Sequence, residues 1–253
     1  MSRAAPGSPA PSDPHPIDPH PIDAPGTDER SWIAWLNTLP GTGMAGLASA
    51  VIVAAHPDDE ILGVGGLISE LSAAGARLRL IAVTDGENSH RGLGDPAALA
   101  RRRTGETAAA LRALGAETTE VIRLGLPDSE LASREDELAA ALPRLTSGFD
   151  ACLVPWDHDM HPDHEAVGRA ARRYCPRVLC YPVWMWHWAS PGDGRVPWHL
   201  AFGVPLSPQA AARKRAAIGC FLSQTEIRSP ELGPVLSAGM IAHFTRTTEI
   251  LFR

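Results

Sequence analysis

The stretch VIVAAHPDDEILGVGG, residues 51–66, runs from a short apolar segment into histidine, proline and three acids before turning apolar again. Val51 to Ala55 is partly β-branched and shows no polar alternation, the pattern of a strand buried on both faces. The residues after it have the marks of a helix start. Pro57 suits the first turn, where its missing N–H costs nothing, and the acids behind it complement the positive end of the helix dipole. The stretch reads as strand, turn, helix, and the same grammar recurs downstream. Ala151 to Pro155 is apolar, and His161, Pro162, Asp163 and His164 open the next helical pattern.

Working outward, apolar runs at Val51 to Ala55, Leu78 to Thr84, Glu120 to Leu124, Ala151 to Pro155 and Val178 to Val183 alternate with helical patterns. Those patterns cover Leu62 to Ala74, Ala97 to Leu114, Glu135 to Leu145 and Glu165 to Tyr174. The alternation predicts an α/β, Rossmann-like three-layer fold with a mostly parallel sheet. Gly63, Gly65 and Gly66 fall inside a helix rather than in a G-x-G-x-x-G turn directly after the strand. They predict close helix–sheet packing, and a nicotinamide or flavin cofactor is discounted.

SWIAWLNTLPG, residues 31–41, predicts a short helix with Ser31 as cap. Upstream, the first 27 residues hold eight of the 23 prolines and a tandem DPHPIDPHPID. Such a segment has too little to bury to offset its ordering entropy, so residues 1–30 read as a disordered Pro-rich tail and 31–253 as one α/β domain. His15 and His20 read as solvated tail residues rather than a strong metal site.

A formal net charge of -6 gives no broad attraction to phosphates or anionic lipid, which argues against nucleic acid and membrane partners. Cys152, Cys175, Cys180 and Cys220 show no CxxC spacing and read as reduced structural thiols, with the cytoplasm as the expected compartment. No secretory pattern and no run long enough to span a bilayer is present. Nothing in the sequence sets an oligomeric state.

In an open α/β sheet the carboxyl ends of the strands are the usual place for a site. These ends carry His56, Asp58 and Asp59, then Thr84, Asp85, Gly86 and Glu87, then Pro127 and Asp128, then the His161 turn. Turn chemistry alone would spread acids and imidazoles over both edges. A catalytic zinc takes three protein ligands of this type and keeps a position for water. His56 and Asp59 supply two, and His161 or His164 the third.

AHPDDE at 55–60, TDGE at 84–87, LGLPD at 124–128 and HPDH at 161–164, in that order, resemble the zinc-dependent N-deacetylases of the LmbE-like or PIG-L family. The similarity spans about residues 48 to 225, with the AHPDD and HPDH pair its specific part. The resemblance implies that His56, Asp59 and His164 hold Zn2+, and ferrous iron suits the same ligands. It further implies that Asp58 is the general base and that His161, oriented and raised in pKa by Asp163, stands beside the substrate carbonyl. Spacing alone separates neither Asp58 from Asp59 nor His161 from His164.

Arg103 and Glu106 correspond to an arginine-bearing helix start that faces substrate in some relatives, and equally read as a solvated Arg-Glu face. Asp85 and Asp128 read as substrate-binding or turn residues. In YPVWMWHWASPGDGRVPWH, residues 181–199, Trp184, Trp186 and Trp188 alternate, which on an extended segment puts them on one side. They read as core, or as a wall stacking on a sugar ring, with Trp184 a substrate candidate. ARKRAAIGCF, from Ala212, reads as a helix with a basic solvated face.

The function implied is removal of an N-acetyl group from an N-acetylglucosamine-like small-molecule conjugate, releasing acetate. Two alternatives stand beside it: a metal-dependent amidase or phosphoesterase on another small molecule, and a non-catalytic sugar-binding module.

Overall fold

The computed structural model describes residues 24–253 apart from 43, 45, 91 and 176. The expected tail therefore lies, for residues 1–23 with His15 and His20, outside the described residues. The chain forms α1 (Glu29–Leu36), β1 (Ser49–Ala54), α2 (Asp59–Ala73), β2 (Arg77–Ala82), α3 (Pro96–Leu114), β3 (Glu120–Arg123), α4 (Glu135–Thr146) and β4 (Ala151–Pro155). It continues with α5 (Pro162–Tyr174), β5 (Val178–Tyr181), α6 (Met185–Trp188), β6 (Ala201–Pro205), α7 (Pro208–Ile218), α8 (Leu222–Thr225), α9 (Ala238–Phe244) and β7 (Thr248–Phe252). The first helix begins ahead of Ser31: Asp28 caps it, and Thr27 is tied by hydrogen bonds to His187 and Ala189.

The sheet runs β3-β2-β1-β4-β5-β7-β6. Strands β1 to β5 pair in parallel, and β7 lies antiparallel to both β5 and β6. All residues of β1 and β4 are buried, as their unbroken apolar runs require. Helices α2, α3 and α7 pack together, and α4 packs on α5, so the sheet is covered by two helical layers. The fold is the expected three-layer α/β arrangement. Strands β6 and β7 escape prediction because AFGVP and TEILF are short and pair antiparallel, outside the parallel βαβ rhythm, with partners far along the chain.

Two further expectations are corrected. Residues 185–188 are a helical turn rather than an extended segment, so the three tryptophans diverge. Trp186 meets Trp32 edge-on at 5.1 Å, and Trp188 stacks toward Trp156 at 6.5 Å. Nor is the face of α7 wholly solvated: Lys214 is buried and its Nζ lies 2.7 Å from Glu249 Oε1.

That pair completes a break in α2. Val64, at φ -138 and ψ 22, interrupts the helix. The freed N–H groups of Gly66 and Leu67 donate to the Glu249 carboxylate at 2.7 and 2.9 Å, a side chain serving as a cap. Gly63 is needed for close approach, since a Cβ there would sit 2.2 Å from the Tyr181 ring.

Candidate metal centre

The order β3-β2-β1-β4-β5 reverses between β1 and β4, where a crevice opens beyond the strand ends. The turn after β1 delivers His56, Asp58 and Asp59, and the start of α5 delivers His161 and His164. His164 Nε2 lies 3.3 Å from His56 Nδ1 and 3.3 Å from Asp59 Oδ1, and His56 Nδ1 lies 3.4 Å from Asp59 Oδ2. Donors bound at ~2.0–2.1 Å to a tetrahedral ion stand about 3.3–3.4 Å apart, so these spacings, reached from Asp59 by one oxygen toward each imidazole, suit a divalent cation. The ring nitrogens of His56, His161 and His164 also fall within 4.8 Å of one another, but His161 Nδ1 is engaged elsewhere.

Buried charge sets the protonation of the trio. Burial disfavours the imidazolium of His164, yet Asp59 and Asp159 flank it and hold it at about 9. Burial likewise opposes the charge of Asp59, while His164 and His56 hold its carboxyl well below the usual range. Asp59 Oδ2 also accepts the His56 main-chain N–H at 2.8 Å. A cation entering here would displace the proton of His164, whereas Asp59 already carries its charge.

Asp58 stands next to the cradle at φ 122 and ψ -30, in a region that side chains avoid. Burial pushes its carboxyl up to about 7, with Arg103 pulling the other way. Its main-chain N–H donates to Glu60 Oε2 at 3.2 Å, and its Oδ2 lies 3.4 Å from Arg103 Nη2.

Asp163 is corrected in its partner. Its carboxylate faces His56 Nε2 at 3.0 Å and accepts the N–H groups of Ser129 and Leu131 at 2.8 and 3.1 Å, so it orients His56. Toward His161 it offers only its main-chain N–H, at 3.3 Å from Nδ1. That makes Nδ1 an acceptor and leaves the ring proton on Nε2. Burial, then the positive His164 and His56, hold the His161 imidazole well below its ordinary value, the reverse of the expected rise.

Asp128 is brought in: its Oδ1 lies 3.3 Å from His56 Nε2. Asp85 is not, because its carboxylate turns to the Arg123 guanidinium, 2.8 Å from Nε. Arg103 and Glu106 are both buried rather than solvated. Arg103 donates to the carbonyls of Pro57 at 2.6 Å and Gly86 at 3.0 Å, while Glu106 holds Ser223 N and Oγ. Trp184 lines the cavity over the cradle, about 190 Å³, and its ring stacks at 6.3 Å on His161. Gln224, Arg228 and Leu236, from far along the chain, close the same cavity.

The functional residue that sequence reasoning missed is Asp159, fully buried, with Oδ2 at 2.7 Å from His164 Nδ1. Its one signal was its place just ahead of the HPDH segment.

Gly86 holds the Arg103 seat open. At φ +67, a Cβ would lie 2.1 Å from Arg103 Nη1. Gly86→Ala is expected to cost about 1–3 kcal/mol in urea unfolding. Gly105→Ala in α3, where a Cβ meets nothing within 4 Å, is the control and is expected to stabilise by roughly 0.5–1 kcal/mol.

With this geometry in place, comparisons with known proteins agree on its kind. Residues 51–175 match the family described as PIG-L, GlcNAc-PI de-N-acetylase. A 1D-myo-inositol 2-acetamido-2-deoxy-alpha-D-glucopyranoside deacetylase of Streptomyces griseus is 32% identical over 153 residues, covering 49% of this chain and 47% of the relative. A probable N-acetyl-alpha-D-glucosaminyl L-malate deacetylase 2 of Bacillus subtilis is 29% identical over 149 residues, covering 53% of this chain and 66% of the relative. The chain thus spans roughly half to two thirds of these relatives' lengths. A crystal structure of a conserved protein from Thermus thermophilus superposes with a TM-score of 0.58 at 26% identity, over 82% of this chain and 94% of that one. Among the described residues, no helix is long and apolar enough to cross a membrane. The likeness to the PIG-L (LmbE-like) family is thus carried by residues 51–175, just under half of the chain.

Proposed function

We propose that this protein is a zinc-dependent N-deacetylase that hydrolyses the acetamide of an N-acetylglucosamine-like small-molecule conjugate, giving the free amine and acetate. The observation that carries the reading is the convergence of His56, Asp59 and His164 donor atoms at 3.3–3.4 Å with the carboxylate of Asp58 beside them. The acetamido sugar is supported by the names of the curated relatives. Reduced thiols and a small-molecule substrate suit the cytoplasm.

His56, Asp59 and His164 hold the ion, which when bound supplies a Lewis acid for the amide oxygen and lowers the pKa of water toward ~7. Asp58, its carboxyl raised by burial, takes the proton of the attacking water and hands it to the departing amine. His161 presents its Nε2–H to the oxygen that gains charge, as a neutral donor of the oxyanion-hole kind. Asp163 and Asp128 fix the His56 ring, and Trp184 offers its face to the sugar.

The test is incubation of metal-replete protein with a panel of N-acetylated glycosides and conjugates, assayed for free amine and acetate. Amine and acetate in equal amounts is the expected result. Metal-loaded protein that releases neither from any acetamido sugar overturns the reading. The cluster of His56 Nε2, Asp128 and Asp163 is what favours a second reading, a two-metal phosphoesterase. Against it, the Asp163 carboxylate is already filled by two main-chain N–H groups. Phosphate esters in the panel and metal stoichiometry separate the two.

A further inference from the structure

The carboxylate of Asp159, in the turn between β4 and α5, serves two structures at once. Oδ2 faces His164 Nδ1 at 2.7 Å. The same oxygen accepts the main-chain N–H of Trp184 at 2.8 Å, and Oδ1 accepts that of Met185 at 2.8 Å. The N–H of Val183 is shared between them at 3.1 and 3.2 Å. The Asp159 main-chain carbonyl accepts the indole N–H of Trp188 at 3.1 Å. One buried group therefore joins a ligand of the cradle to the turn that carries Trp184 into the cavity wall.

We infer that Asp159 is a positioning residue that couples occupancy of the metal cradle to the aromatic wall of the substrate cavity. A hydrogen bond from His164 Nδ1–H to Asp159 fixes the tautomer that turns the Nε2 lone pair on the cradle. A cation on Nε2 would take the place of the proton held there and pin the ring, so the Oδ2 bonded to Nδ1–H is held in one orientation. Because the Trp184 N–H shares that Oδ2, loading the ion draws the wall into register. A carboxylate that only oriented His164 would not need the three main-chain donors, and one that only capped the 185–188 turn would not need the imidazole. The wall's role in catalysis rests on the deacetylase reading, whereas the coupling is measured without substrate.

Asp159→Asn has one acceptor oxygen and a donating NH2, so it cannot satisfy His164 and the N–H groups together. Zinc affinity, by chelator competition, is expected to fall about 10–100-fold. The zinc-induced fluorescence change that depends on Trp184, isolated by difference against Trp184→Phe, is expected to vanish in D159N. Hydrogen exchange on the unmutated protein needs no variant to fold: zinc is expected to slow the amides of residues 183–185 about tenfold.

D159N that binds zinc within about twofold of the parent overturns the inference, as do amides 183–185 that exchange equally with and without zinc. Protein that takes up no zinc overturns this coupling together with the metal reading. Zinc uptake with coupling intact, but no amine release across the panel, sinks the deacetylase reading alone.

Discussion

Asp58→Ala is expected to lower turnover by about two to four orders of magnitude while the protein still takes up its metal. The three donor atoms of the cradle come from His56, Asp59 and His164, and none is from Asp58. What the variant loses is the proton acceptor beside the cradle, a carboxyl that burial has pushed up to about 7. A carboxyl whose affinity for protons is raised by burial is suited to taking a proton from water and returning it to an amine. Stopped turnover with unchanged zinc stoichiometry is the result to look for. Asp58→Ala protein that keeps more than a tenth of the parent rate removes Asp58 as the base.

The backbone at Asp58 makes a second arm possible. At φ 122 it sits where only glycine is comfortable, at a cost of order 1–3 kcal/mol. Its N–H is held by Glu60, whose own carboxyl is fully buried and pushed up to about 8 by that burial. Asp58→Gly relieves the strain, so the metal-free variant is expected to melt above the parent while being equally inactive. Stability and activity then move in opposite directions at one residue, the signature of a strained functional position.

The other large effect is metal removal. Chelation is expected to abolish turnover altogether and zinc to restore it. Zinc present at ~100 times its Kd adds about 2.7 kcal/mol to stability through binding only the folded chain. A calorimetric melt with and without chelator measures this directly. His56→Ala and His164→Ala, each removing one donor, are expected to erase most of that difference. Entry of the ion displaces protons from imidazoles that Asp59 and its neighbours keep charged, so uptake in weakly buffered solution is expected to acidify the medium. A melt unaffected by chelator would show that the trio holds no ion.

The HPDDE and HPDH turns were legible because everything that announces them is local: an apolar run, a proline, acids in a first turn. Their meeting follows from parallel strands β1 and β4 lying side by side, which the βα rhythm implied. Other features are set by contacts that no local pattern records. Asp163 could be placed near the site but not aimed, because its choice of His56 over His161 depends on the Ser129 and Leu131 N–H groups arriving from another loop. Lys214 looked like one more cation on a basic helix until Glu249 met it. Alternation of tryptophans suggested an extended run, and the Asp159 carboxylate, gathering three successive N–H groups, curled it into a helical turn instead.

The bond from Glu249 to the broken helix has a consequence for how the molecule comes apart into pieces. The segment that carries the family likeness, residues 51–175, includes every proposed ligand of the ion. Yet α2, the helix whose start presents Asp59, is completed by a carboxylate 183 positions after Gly66. Excised at those limits, the segment keeps all of its signature and lacks the clasp that holds its first helix in one piece. A nascent polypeptide likewise lacks that clasp until β7 has been made.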